Sequence, residues 1–166
     1  MKRLIITGIC ILMSMGFFAQ EVRAQLVLGI KGEIASSSSF NGCQAGGAVT
    51  VGKQMKIASI MADFGHTQSN TYVDLTFLLR IYGNKDHSIN MYMGAGLTAG
   101  VWSPEENGNV FIAGVFPAVQ AETFITRRIS LYADVRTPFM FLSDGGELTA
   151  RYSLGIRYLL YKEAKL

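Results

Sequence analysis

The chain has 166 residues, 15 Lys and Arg against 12 Asp and Glu, and is 49% hydrophobic but only 16% charged. That charged share is well below the ~25% of an ordinary soluble domain, and the near-even balance without a basic tract argues against direct nucleic-acid binding. Two cysteines, one of them inside the N-terminal apolar run, rule out a disulfide scaffold.

The N-terminus reads as an export signal. Lys2 and Arg3 precede an apolar run from Leu4 to Ala19, and Val22-Arg23-Ala24 supplies a small-x-Ala cleavage site. Residues 1–24 are therefore expected to be a signal peptide and residues 25–166 the single mature domain. That leaves 142 of the 166 residues, with 12 basic and 11 acidic side chains and Cys43 as the remaining cysteine. No later stretch is apolar for the ~20 residues a membrane helix requires.

The mature chain divides into eight segments in which apolar residues recur at every second position, the period of a β-strand with one greasy and one wet face. Strand one, Leu26 to Ala35, sets Leu28, Ile30 and Ile34 against Lys31 and Glu33. Strand two runs from Cys43 to Gly52 with Ala45, Val49 and Val51 on its greasy side. Strand three, Ile57 to Gly65, opposes Ala58, Ile60, Ala62 and Phe64 to Ser59 and Asp63. After a break at His66 to Asn70, strand four opposes Val73, Leu75, Phe77, Leu79 and Ile81 to Tyr72, Asp74, Thr76 and Arg80.

Gly83-Asn84-Lys85-Asp86 is a tight-turn sequence. Strand five, Ile89 to Trp102, alternates Met, Ala, Leu and Val with glycine and polar residues. Ser103 to Asn109 is a loop, and strand six, Val110 to Ile125, is the most apolar while keeping Gln120 and Glu122 in one phase. Thr126-Arg127-Arg128 turns into strand seven, whose Ile129, Leu131, Ala133, Val135, Phe139 and Phe141 oppose Ser130, Tyr132, Asp134 and Arg136. Ser143 to Glu147 leads to the last strand, Leu148 to Tyr161, with Arg151 and Arg157 in one phase.

In the four strands that carry two charges, Lys31/Glu33, Asp74/Arg80, Asp134/Arg136 and Arg151/Arg157, both charges share one face. The expected fold is all-β, an eight-stranded antiparallel up-and-down barrel. The low charge and a polar face of glycine, small residues and aromatics, rather than Lys and Glu, favour a transmembrane barrel with its apolar faces toward outer-membrane lipid. Lys31, Arg80, Arg136, Arg151 and Arg157 would then share the interior with Glu33, Asp63, Asp74, Glu122 and Asp134, five bases against five acids. An eight-stranded barrel is just wide enough for its own side chains, so these ions are expected to pair and plug it, joined by Tyr72, Tyr92, Tyr132 and Gln120.

Ser153, Gly155, Tyr158 and Leu160 resemble the terminal signal of outer-membrane barrels, which implies the barrel-assembly machinery as a partner. With the N-terminus periplasmic, Ser36–Gly42, His66–Asn70, Ser103–Asn109 and Ser143–Glu147 face outward, and the other end is basic through Lys53, Lys56, Lys85, Arg127, Arg128, Lys162 and Lys165. No cofactor, metal-ligand spacing or phosphate-cradling loop is found. Other readings are a general structural or adhesive outer-membrane protein, a narrow ion path along the interior charges, a lipid-modifying enzyme using His66 and Ser69, and a soluble barrel with an apolar lumen. His87 in an inner turn and Pro104-Glu105-Glu106 as a divalent-ion loop are weaker candidates.

Three stretches carry a family resemblance. AQLVLGIKGEI, GNKDHSINMYMGAGLTAGVW, and ETFITRRISLYADVRTPFMFLSDGG with the closing YSLGIRYLL resemble the conjugative-transposon outer-membrane proteins called TraO, typical of Bacteroides-type bacteria. The similarity includes the Glu122-Thr123 and Arg136-Thr137 pairs. It implies a place in the envelope machinery of conjugal DNA transfer, with conjugation-apparatus proteins as partners and no catalytic residues.

Overall fold

The computed structural model describes residues 25–37, 43–84, 89–103, 110–141 and 149–160. Each segment whose side chains alternate between greasy and polar is a strand: β1 (Gln25–Ser37), β2 (Cys43–Gln54), β3 (Ala58–Thr67), β4 (Asn70–Gly83), β5 (Ile89–Trp102), β6 (Val110–Phe124), β7 (Ile129–Arg136) and β8 (Thr149–Leu160). After Thr137-Pro138, β7 resumes against β6 as Phe139–Met140. Every strand pairs antiparallel with its neighbour in sequence, and β1 pairs with β8, so the sheet closes into a barrel.

The registers fix its geometry. A path across the ladders from Gln25 passes through Gln54, Ser59, Leu78, Gly94, Ala118, Arg136 and Arg151 and returns to β1 at Ala35, ten residues further along. Eight strands with that stagger lean about 40° from the barrel axis. Seven of them are 10 to 15 residues long, enough for a tilted strand to span a bilayer's hydrocarbon, which takes ~9–11.

Outward positions are apolar for most of the barrel's height. Ile30, Leu75, Leu97, Val119, Leu154 and Ile156 are among the exposed large hydrophobic side chains, while Lys31, Glu33, Asp63, Asp74, Arg136 and Arg157 are buried. Charge inside and hydrocarbon outside is the reverse of a water-soluble barrel. No helix among the described residues is long and apolar enough to cross a membrane, which says nothing of strands.

At one end the strands join through short turns. Asn84 accepts the Ile89 amide on its side chain at 3.2 Å, and Thr126 Oγ1 accepts the amides of Arg128 and Ile129 at 3.2 and 3.0 Å. At the other end, β3 and β4 extend further than the expected break at His66 to Asn70. They pair as far as His66 with Thr71 and leave only Gln68 and Ser69 between them. The alternation continues there with small polar residues, which hydrophobicity alone reads as a loop. The signal peptide, His87 and Pro104-Glu105-Glu106 lie outside the described residues.

Candidate functional site in the barrel interior

The interior chemistry is set by which residues the registers place opposite one another. Asp63 on β3 stands directly across from Asp74 on β4, and Arg136 on β7 directly across from Arg151 on β8. Like charges opposite each other in a ladder destabilise the sheet. Here the two pairs come from opposite walls and meet in the lumen.

Arg136 is the hub. Its Nη1 donates to Asp74 at 2.8 Å, its Nε donates to Asp134 at 3.1 Å, and its Nη2 contacts Asp63. Asp63 is held further by Lys31 Nζ at 3.2 Å and by the hydroxyl of Thr50, and Ser153 donates to Asp134 at 2.7 Å. Arg151 Nη2 lies 2.9 Å from Asp74, an ion-pair contact without hydrogen-bond alignment, and its Nη1 lies 3.9 Å from Glu33. Glu33 also takes the hydroxyl of Tyr72 at 2.6 Å and sits 3.5 Å from Lys31.

A second cluster lies toward the short-turn end. Glu122 accepts from Ser130 at 2.7 Å and from Gln54 and Tyr92 at 3.1 Å each, and Arg157 donates to Gln120 at 2.8 Å while keeping an ion-pair distance of 3.9 Å to Glu122. Tyr132 joins the two clusters. Its hydroxyl is 3.2 Å from that of Thr50, and the Arg157 guanidinium lies 3.6 Å from the centre of its ring. Arg151 stacks similarly over Tyr72 at 4.5 Å.

Three aromatic rings fit because the residue across the ladder is glycine. Tyr72 lies against Gly65, Phe116 against Gly96 and Tyr132 against Gly155, and a Cβ on any of these glycines would collide with the ring. Glycine inside a strand is unfavourable by itself, and here it makes the space in which an aromatic spans the lumen.

Of the ten ions expected inside, nine are buried, and Arg80 is half-buried near the short-turn end, beside a register shift between Arg80 and Tyr82. The sequence reading missed an apolar share of the filling. Val27, Met61 and Leu159 form one buried cluster with Phe124 packed against it, and Leu78, Tyr92, Phe116 and Ala118 form another. These residues share the phase of the charges, and assigning each strand's faces by its charges left all of them but Tyr92 unnoticed. Of the terminal-signal residues, Ser153 and Gly155 point inward, and Tyr158 and Leu160 point outward.

The pairing suggested for a lipid enzyme does not form. His66 is on the outer face with Nδ1 2.9 Å from the Thr71 hydroxyl, while Ser69 donates to Gln44 at 2.8 Å. His66 is near the end of β3 and Ser69 lies in the two-residue turn, so His66 meets Thr71 on β4 and Ser69 meets Gln44 on β2. Among the described residues no group of three metal-ligating side chains occurs.

The sequence matches no family model and no curated protein. The fold is similar to solved barrels. The N-terminal β-barrel domain of Pseudomonas aeruginosa OprF aligns with a TM-score of 0.61 at 12% identity, covering 81% of this chain and 99% of that one. Neisserial surface protein A gives 0.59 at 12% over 81% and 96%, and the attachment invasion locus protein Ail of Yersinia pestis gives 0.52 at 12% over 85% and 100%. At such identities the likeness establishes the fold, an antiparallel eight-stranded closed barrel.

Proposed function

We propose that the protein is a non-enzymatic barrel of the outer membrane whose lumen is closed by its own ion network, and that it serves as an envelope component of a conjugal DNA-transfer apparatus. The observation that carries the closed lumen is the hub. Arg136 reaches Asp63, Asp74 and Asp134, and so ties β7 to β3 and β4 across the interior. Tyr132 and Arg157 extend the same network toward the short-turn end. The apolar exterior supports the membrane, and the signal-peptide pattern of residues 1–24 in the sequence supports the outer one. The role in transfer rests on the three TraO-like stretches.

Two measurements test the proposal. Reconstituted in a planar bilayer, the wild type should show no steady conductance, and a persistently open channel would sink the plug. Donor cells that lack the chain should transfer the element at reduced frequency, and an unchanged frequency would remove the conjugation role.

A further inference from the structure

The outer wall carries a dent over β2 to β4. Across β1 to β4, one ladder row reads Gly32, Gly47, His66 and Thr71, all on the outward face. Gly47 contributes no side chain there, and a groove of about 440 Å³ opens over the backbone at Gly47 and Gly65. Val49, Phe64 and Val73 form its flanks, each close to half exposed. At the rim end, the groove meets a single polar pair, His66 and Thr71.

We propose that this groove holds one chain of a phosphate-bearing membrane lipid, with the phosphate at His66. The groove is shallow and open along its outer side, so what fills it comes from the medium that bathes the wall. The groove is continuous with the lipid-facing belt, so its natural occupant comes from the bilayer. It is apolar along its length and polar at one end, and a lipid has the same asymmetry. When the Thr71 hydroxyl donates to Nδ1, the ring's Nε2–H is left as a donor at the exposed rim of the groove, with no protein acceptor among the described residues. A phosphate oxygen is an acceptor of matching chemistry. A second copy of the chain would bring a full-height wall of side chains, which a dent one glycine wide does not fit.

The inference rests on the membrane reading above, and its test separates the two. The full chain, purified in detergent, is offered dipalmitoyl phosphatidic acid or dipalmitoylglycerol, which has the same chains without the phosphate, and retained lipid is counted by native mass spectrometry. The wild type should keep one phosphatidic acid. Gly47→Leu, which fills the groove, should keep about tenfold less. Gly32→Leu, which adds the same side chain one strand away in open space, should match the wild type. An added Cβ at Gly47 comes 3.1 Å from the Lys31 carbonyl, so His66→Ala at an exposed site supplies the second variant. It should abolish the preference for phosphatidic acid and leave dipalmitoylglycerol binding unchanged.

Equal retention by the wild type, Gly47→Leu and His66→Ala, each folded as judged by a heat-dependent gel shift, overturns the proposal. A wild-type dimer that Gly47→Leu dissolves overturns it in favour of a second copy. Suppression of binding by inorganic phosphate, with no dependence on the acyl chains, overturns it in favour of a free anion. A wild type that extracts into buffer without detergent overturns the membrane reading itself.

Discussion

Arg136 shows how one side chain can hold together residues that would otherwise repel. Replacing it with leucine leaves Asp63 and Asp74 opposite each other and Asp134 without its guanidinium. Removing one partner of a buried ion pair costs about 3–5 kcal/mol, so Arg136→Leu should sharply lower the urea midpoint of the detergent-folded barrel. Adding Asp63→Asn and Asp74→Asn should recover part of the loss; an unchanged midpoint in the single variant would show the hub to be dispensable. Gly65 is a gentler test. Gly65→Leu pushes Tyr72 off its seat and away from Glu33, an overpacking cost of about 1–3 kcal/mol, visible in the same denaturation curve. The sequence exposed the charged members of this interior through their shared parity. It did not reveal that Gly65, Gly96 and Gly155 are sockets for rings, because partners across a ladder depend on registers that one strand's pattern does not contain. Leu78, Phe116 and Met61 stayed hidden for a related reason: an apolar residue on the polar face looks like noise until the lumen is seen to need filling.

Among the elements, β7 is the weak one. Its ladder to β8 ends at the Arg136–Arg151 pair, although β8 continues against β1 to Thr149. The cause is legible in the chain. The alternation that gives the Leu159 amide to the Arg128 carbonyl at 2.8 Å puts residue 138 opposite Thr149 in the same hydrogen-bonded class, and residue 138 is proline, which has no N–H to give. Hydrogen exchange should therefore be faster at Thr149 than at Ser153, and Pro138→Ala should slow it, because an amide at residue 138 can donate to the Thr149 carbonyl and extend the ladder so that the Thr149 amide meets the residue 138 carbonyl. Equal exchange at the two amides would mean that something else closes the seam. Strand boundaries were otherwise read closely. β5 begins and ends at the residues its alternation marks, while β3 and β4 run past theirs because small polar residues continue a ladder as well as apolar ones do.

For the molecule as a whole, closure and inside-out polarity are the defining features, and both were foreseeable from period-two alternation together with a low charge content. The direction of the faces was harder to settle, since alternation is identical for a soluble barrel and a membrane one. The structure shows apolar side chains outward on every strand. The intact protein should therefore migrate differently on a gel before and after boiling and should lose that difference in Arg151→Leu, whose Asp74 and Glu33 contacts vanish. A shift that persists in the variant would place the strength of the barrel in its hydrogen-bonded wall. The meeting of carboxylate and guanidinium pairs in the lumen has a wider consequence. On their lumen faces the first four strands bring Lys31 and Arg80 against Glu33, Asp63 and Asp74, and the last four bring Arg136, Arg151 and Arg157 against Glu122 and Asp134. Each half is out of balance by one charge, in opposite senses, so the chain is its own counter-ion. A sheet halted midway into the bilayer carries a charge that hydrocarbon rejects, and only the return of β8 to β1 cancels it, which makes neutrality the signature of a finished ring.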